Sequence, residues 1–348
     1  MNKILSNKDL KNLKAIFGSI EATHKGLGKL FIFEYLCELA NESLMVISSP
    51  AMGKSKCSNL LFSLIPRTKL KLHAVTINGL KKLAKILSNN VVSIIVDDLS
   101  RGRTIYSQVS TVSILSGLVY DGSVVKLTQQ LTLSIVNFKG SAIVNLQPLI
   151  LKRIVAEDEF ETDVRDKTIR YYHLHMPIHE EIKTPALPDN IIFKYVEDIL
   201  PTSIKKDKLY DETLENFYYA FTKARSKEHL NKLLSACALA NGRNEIVDAD
   251  VMLLHHYSKL FRLEPELFRK RHLEGKRQYD PDVLPTLAMV ASYGIFTIDD
   301  LRLRFGLSER RAYEKAAELG EYIQLLRGSK KIIPTEKAKE ILKEIGEL

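Results

Sequence analysis

The chain reads as an α/β fold: a parallel sheet flanked by helices, then an all-α segment and a C-terminal helix-turn-helix with a wing. Short apolar runs at 44–48 (LMVIS), 71–77 (KLHAVTI) and 91–96 (VVSIIV) alternate with the helical stretches SKCSNLLFSLI and GLKKLAKIL. Strands that alternate with helices build parallel sheets covered on both faces, and such strands are apolar throughout. The last seventy or so residues repeat none of this and carry three short helical patterns followed by two strand-like runs.

Taken in order, residues 1–43 are expected to be helical. Apolar residues recur at helical spacing through Leu10, Leu13, Ile16 and Phe17 and again from Leu30 to Leu39, with Gly26 and Gly28 at the joint. The core, 44–185, begins with the three strands above. A helix around 107–119 then leads to Tyr120-Asp121-Gly122, and Asp-Gly ahead of the strand-like segments VVKL, LTLSIVNF and SAIVNL predicts a hairpin turn there. IRYYHLHMPI at 169–178 reads as another strand, and Pro185 and Pro188 punctuate a linker. A helical segment follows over 186–260. In the final module, 281–348, PDVLPTLAMVASYG, TIDDLRLRFG and ERRAYEKAAELG are three helices, the second running from Thr297 to Gly306 and the third capped by Ser308 with Glu309 at its positive end. YIQLLRG and SKKIIPT form a two-stranded wing, and TEKAKEILKEIGEL a closing helix.

With 348 residues, 45% hydrophobic and 27% charged, the composition is that of a soluble globular protein of two or three domains. A net charge of +9 and a pI near 9.2 favour polyanionic partners such as nucleotides and nucleic acid. Cys37, Cys57 and Cys237 are scattered and odd in number, which argues against a disulfide framework or a paired zinc site and for a reducing cytoplasm. Neither a signal-type apolar stretch nor a membrane-length apolar run occurs, so no membrane association is expected.

The chemistry is concentrated after the first strand. Ser48-Ser49-Pro50-Ala51-Met52-Gly53-Lys54-Ser55 stands between an apolar strand and a helix, the context of a Walker A phosphate loop. In such a loop the backbone of Ser49 to Lys56 wraps the phosphates, and its N–H groups, all but that of Pro50, face phosphate oxygens at a helix N-terminus. Gly53 admits a close backbone approach, Lys54 spans the β and γ phosphates of ATP, and Ser55 offers its hydroxyl to Mg²⁺. Ser48 departs from the usual glycine at the loop's start. The run 91–96 delivers Asp97 and Asp98 to the carboxyl end of a buried strand, where open α/β sheets bind ligands. Asp97 suits the Mg²⁺ side of the site and Asp98 the polarising of an attacking water, although Asp98 is a methylene shorter than the more usual glutamate.

These residues resemble the AAA+ superfamily of P-loop NTPases, and within it archaeal minichromosome-maintenance-type helicases and related replication ATPases. The resemblance spans roughly Leu44 to Tyr257. It implies ATP and Mg²⁺ as cofactors, ATP hydrolysis, assembly into a ring that is hexameric in that family, and action on DNA as a replicative helicase or initiator-like motor. It further implies a water-positioning sensor at Asn145, with Asn137 as competitor, and an arginine finger acting on a neighbouring subunit at Arg165, with Arg153 and Arg170 as alternatives. KEHLNKLLSACALANGRNEIVDADV resembles the family's helical lid, with Asp248 capping its second helix; Arg225 and Lys227 are the candidates for a second, cis-acting sensor.

The C-terminal module has the plan of a winged helix-turn-helix, with the short glycine-bearing turn Phe305-Gly306-Leu307-Ser308. Arg310, Arg311 and Lys315 on its third helix and Lys330 and Lys331 at the wing tip are the candidate DNA contacts. Glu309, Glu314 and Glu318 share that helix and oppose its field. His173, His175 and His179 read as structural rather than metal-binding, and the basic run Arg269-Lys270-Arg271 with Lys276 and Arg277 as a solvated joint. Two other functions fit the same motifs: a nucleotide-gated DNA-binding regulator or transposition helper with little turnover, and a MoxR-like chaperone ATPase.

Overall fold

The computed structural model describes residues 1–73, 77–101, 104–128, 131–175, 191–196, 207–270, 277–293, 296–326 and 328–348. Three helices open the chain: α1 (Asn2–Leu5), α2 (Lys11–Thr23) and α3 (Gly28–Leu39). The joint between α2 and α3 is tightly built. Both carboxylate oxygens of Glu21 accept backbone N–H groups there, from Gly26 and Gly28 at 2.8 Å each, so a side chain caps the start of α3.

The sheet follows. β1 (Ser43–Ile47), β2 (Thr68–Leu72) and β3 (Val91–Val96) are separated by α4 (Lys54–Leu64) and α5 (Ile77–Leu87). After α6 (Ile105–Asp121) come β4 (Val124–Thr128), β5 (Leu131–Ile135) and β6 (Lys139–Leu146), then α7 (Pro148–Val155) and β7 (Ile169–Tyr172). Five of these strands form one parallel sheet in the order β2-β3-β6-β1-β7, and β4 pairs with β5 as a separate antiparallel hairpin. The inner strands β1 and β6 are buried almost end to end, as a sheet covered on both faces requires.

Where the structure departs from the sequence reading, the reasons are local. The second strand lies at 68–72 rather than 71–77, and Ile77 already belongs to α5. β2 is an edge strand, and its alternation of Thr, Lys and Leu blunts the edge with charge instead of forming an apolar run. Asp121-Gly122 is not a hairpin turn: Gly122, at φ 65°, is the left-handed C-cap of α6, and the hairpin follows it. Asn137 therefore does not end a strand of the central sheet. It lies between β5 and β6, at the end of the sheet opposite the 48–55 loop, with its amide on Asn89 at 2.9 Å.

Gly140 sits where β6 passes β3, with φ 141°, opposite Val92. A Cβ there would stand 1.9 Å from the Val92 carbonyl oxygen. Gly140→Ala is expected to cost about 3 kcal/mol in urea unfolding, because the clash is backbone on backbone between two central strands.

The helical segment consists of α8 (Lys208–Phe217), α9 (Lys223–Ala240) and α10 (Asp248–Ser258). Asp248 is the first helical residue of α10 rather than its cap. Val247 is the cap, and Asp250 accepts its N–H at 2.9 Å while holding Arg243 of the Gly-Arg-Asn turn at 2.6 Å. The chain continues through α11 (Glu264–Leu267), a short pair β8 (Phe268–Lys270) and β9 (Arg277–Tyr279), and α12 (Val283–Tyr293). The final elements are β10 (Phe296–Thr297), α13 (Ile298–Phe305), α14 (Glu309–Glu318), β11 (Ile323–Leu326), β12 (Lys331–Pro334) and α15 (Glu336–Glu344). The two-stranded wing read from the sequence gains a third strand, β10, in the order β10-β12-β11. Thr297 and Asp300 form a capping box at the start of α13, and Gly306, left-handed at φ 63°, ends it. His179, the Pro185–Pro188 linker and the basic residues Arg271 and Lys276 fall outside the described residues. Among those described, no helix is long and apolar enough to cross a membrane.

Candidate functional site

The segment 48–55 leaves the carboxyl end of β1 and enters α4, so the loop caps the end of the sheet where the strands' carbonyl ends point. Its curvature comes from two left-handed residues, Ala51 at φ 61° and Gly53 at φ 81°. Ala51 bears the conformational cost that glycine avoids, of the order of 1 kcal/mol. Ser48, in the position where a glycine is usual, is not among the left-handed residues. Its backbone N–H reaches the Leu146 carbonyl at 3.3 Å and its side chain is fully buried, so serine fits that position without strain. Gly53 needs its missing side chain: a Cβ would meet Leu27, at the α2–α3 joint, at 3.0 Å.

Lys54 is buried within the loop and donates to the carbonyls of Ser48 at 3.1 Å and Ser49 at 3.2 Å. Burial pushes its ammonium down to about 8, against the opposing pull of Asp98 and Asp97. Ser55 donates its hydroxyl to the Asp97 backbone carbonyl at 3.2 Å, which joins the start of α4 to the end of β3. Asp97 holds Lys71 at 3.4 Å through Oδ2, while its Oδ1 is buried and without a hydrogen-bond partner. A carboxylate oxygen without a partner and a serine hydroxyl on the adjoining element are donors of the kind that could ligate a hard, largely water-ligated cation such as Mg²⁺. Among the described residues no group of three His, Cys, Asp or Glu side chains could form a protein-rich metal cage. Asp98 is tied into its own turn, accepting the Ser100 N–H at 3.0 Å. Pro50 and Ala51 are exposed at the loop's tip, and Lys56 points out from the first turn of α4.

β6 lies between the loop strand and the acidic strand. Val46 is level with Asn145 and Val96 with Val144, which sets Asn145 between the loop and Asp97. The amide is fully buried and donates to Ser58 Oγ at 3.0 Å. Ser58, one turn after Lys54, lies 2.6 Å from Glu34 of α3. Glu34 is fully buried, and burial pushes its carboxyl up to about 8, opposed by the Ser58 hydroxyl. Neither Glu34 nor Ser58 was among the candidates from sequence. The available signal was a glutamate inside the apolar helical run LFIFEYL and a serine sharing a helix face with Lys54. Because Glu34 keeps its proton in the folded chain well above the pH at which the unfolded chain loses it, stability falls as pH rises from about 4.5 to about 8. Glu34→Gln is expected to flatten that slope, which is at most about 1.4 kcal/mol per pH unit, in unfolding measured across the range.

Of the arginines proposed to act on a neighbour, Arg170 is placed elsewhere. It is fully buried in its own chain, paired with Glu264 at 2.7 Å and donating to the carbonyls of Arg165 and Ala220, so it cannot reach another subunit. Arg165 precedes β7, at the amino end of the sheet's strands and away from Lys54 at their carboxyl end, and pairs with Glu161 at 2.9 Å. Any part it takes in nucleotide chemistry would be at another chain's site. Arg153 is on the last turn of α7. Arg225 also lies away from the loop, stacked over Tyr120 at 3.8 Å and paired with Glu228, and Lys227 is exposed.

His173 is buried under the loop; its imidazole, pushed down to about 3 by burial, is neutral, and its Nε2 has no partner. It lines a cavity of about 140 Å³ with His175, Gly26 and Lys29. A larger cavity, about 620 Å³, lies along α15 among Glu266, Lys337 and Glu344.

In the C-terminal module Arg310 pairs with Glu314 at 3.0 Å and Lys330 with Glu309 at 2.5 Å. Lys315 turns inward onto Asp282, while Arg311 and Lys331 are exposed. Much of the positive charge read from the sequence is thus already matched within the module. No protein-family model matches the chain, and a search of curated proteins finds no match.

Proposed function

We propose that this chain binds ATP with Mg²⁺ and hydrolyses it, as an AAA+-type ATPase that acts on DNA through its C-terminal module. The observation that carries the reading is the meeting of the loop with the acidic strand. Ser55 Oγ rests on the Asp97 backbone carbonyl, and Asp97 carries a buried carboxylate oxygen, Oδ1, with no hydrogen-bond partner. In this reading the loop's N–H groups and Lys54 take the phosphates, Ser55 and Asp97 hold the cation, and Asn145 orients a water from the neighbouring strand. The bound cation would supply charge neutralisation on the β and γ phosphates. Hydrolysis then requires Asp98 to accept a proton from the water and Arg165 of an adjoining subunit to offset charge on the transferred group, so turnover belongs to a ring.

In this reading α8–α10 serve as the lid, and the C-terminal module, with four helices (α12–α15) and three strands, serves as a winged helix. DNA contact rests on that reading and on exposed basic residues of α14 and β12, Arg311 and Lys331 among them.

The reading is tested by measuring ATP hydrolysis with and without single-stranded and duplex DNA for the native chain, Lys54→Ala and Asp97→Asn. Asp97→Asn is expected to lower Mg²⁺-dependent turnover by about 100-fold or more while ATP binding without Mg²⁺ changes little. Equal hydrolysis by all three proteins would sink the proposal. One observation favours the low-turnover alternative, a nucleotide-gated DNA-binding regulator: Asp98 is short and already engaged by the Ser100 N–H. Nucleotide-dependent duplex binding without hydrolysis would decide for it.

A further inference from the structure

The cation site of the reading above depends on Asp97, and that carboxylate is held by a lysine that was not among the sequence candidates. Lys71, the penultimate residue of the edge strand β2, stands level with Ile95, so its strand ends where β3 delivers Asp97. The Leu72 carbonyl accepts the Asp97 N–H at 3.3 Å and ties the two strand ends together. Across that junction Lys71 Nζ lies 3.4 Å from Asp97 Oδ2 and donates to Asn59 Oδ1 at 2.7 Å. Asn59 is one turn beyond Ser55 on α4, and residues four apart share a helix face. Three elements thus close a circuit around one carboxylate. α4 enters through Ser55 on the Asp97 carbonyl and Asn59 on the lysine, β2 through Lys71, and β3 through Asp97 itself. The other oxygen of that carboxylate, Oδ1, is buried and has no hydrogen-bond partner.

We infer that Lys71, steadied by Asn59, is a positioning residue for the divalent cation of a bound nucleotide: it occupies Oδ2 of Asp97 and so reserves Oδ1 as the metal-ligating oxygen. This rests on the nucleotide and Mg²⁺ reading above. A carboxylate has two equivalent oxygens and turns about its own bonds, whereas an octahedral ion such as Mg²⁺ tolerates little of that freedom in a ligand. Groups that hold a ligating side chain set metal affinity along with the ligand itself, and losing one typically costs about 10–100-fold. Repulsion between the ammonium and the cation acts in the opposite sense. The Lys71 side chain is 40% exposed, so water screens that repulsion, while the carboxylate it holds is only 14% exposed. Positioning is therefore the larger effect, and the sign of the change on removing the lysine tells the two apart. Lys69, two residues earlier on the same face of β2, is the control for charge alone: it donates to the Ser63 carbonyl at 3.4 Å and lies over Phe62.

The test is Mn²⁺ binding, followed by electron paramagnetic resonance, to the full-length chain saturated with a non-hydrolysable ATP analogue. Lys71→Met is expected to weaken Mn²⁺ binding about ten-fold or more, while binding of the analogue without metal stays unchanged. Asn59→Ala should shift Mn²⁺ binding in the same direction by less, Lys71→Arg should recover part of the loss, and Lys69→Met should match the native chain. If Lys71→Met binds Mn²⁺ as the native chain does, its pair with Asp97 is a solvated surface contact. If it binds Mn²⁺ more tightly, the ammonium competes with the cation. Either result overturns the role of Lys71, and the cation reading stands where Asp97→Asn still loses Mn²⁺. If Asp97→Asn leaves Mn²⁺ binding unchanged, or the native chain binds no nucleotide, the reading beneath this proposal has failed and the proposal falls with it.

Discussion

Lys54→Ala is expected to weaken ATP binding by at least 100-fold in equilibrium titration. The ammonium would make charge-assisted hydrogen bonds to two phosphate groups, each worth about 1.5–3 kcal/mol. Its position makes the loss hard to replace. Lys54 is buried, already desolvated and already aimed along the inside of the loop by the Ser48 and Ser49 carbonyls, so little ordering is left to offset binding. The depressed pKa adds a pH signature. With the ammonium at about 8, ATP affinity should fall as pH is raised past that value, because the loop then presents a neutral amine. Folding stability should respond in the opposite direction. Between about 8 and 10.5 the unfolded chain still carries a proton that the folded chain has released, so this lysine makes the fold more stable with rising pH. Lys54→Ala removes both slopes. A native chain whose ATP affinity is flat from pH 7 to 10 would contradict the burial of this group.

Arg170→Ala is expected to cost about 4 kcal/mol in urea unfolding, the largest stability effect among the substitutions considered. The guanidinium is fully buried where β7 meets the start of α11. It pairs with Glu264, donates to the Arg165, Thr168 and Ala220 carbonyls, and lies against Phe221. Removing it leaves a buried carboxylate with Tyr172 as its remaining partner and three carbonyls short of a donor. The pair need not be a net gain over an apolar one. The double variant Arg170→Met with Glu264→Leu should recover much of the loss, so a double-mutant cycle should give a large coupling energy. Similar losses for the single and double variants would show that the other contacts of Arg170, not its partner carboxylate, set the cost.

The parallel core was legible because buried strands are apolar whatever lies around them. VVSIIV and SAIVNL sit where their composition put them, and so do the loop and the acidic strand end that flank them. β2 was misplaced because an edge strand answers to solvent, and TKLKL has no apolar signal. Asp121-Gly122 misled because a left-handed glycine serves a helix end as readily as a hairpin. The candidate site was legible where chemistry is carried by one segment, as at Lys54 and Ser55. It was illegible where it depends on residues far apart in the chain. Glu34 and Ser58 are 24 residues apart, and only the packing of α3 against α4 brings them together. The same holds for Arg170, which looks like any arginine in a polar stretch until β7 buries it.

The buried acids around α3 have a mechanical consequence. Glu34, Glu38 and Glu42 recur every four residues, and each has a chemically different set of partners. Glu34 meets Ser58; Glu38 meets Arg67, Ser93 and Ser141; Glu42 meets His229 and Lys232. Sliding α3 by one turn, about 5.4 Å, would carry Glu34 and Glu38 off their own partners, while Glu42 is fixed separately, past the left-handed Asn41 after the helix. The row works as a rack with unequal teeth: it admits one axial setting of α3 on the sheet. Leu27 rides at the head of that helix above Gly53, so the clearance over the 48–55 loop is indexed by two helix carboxylates that never touch it.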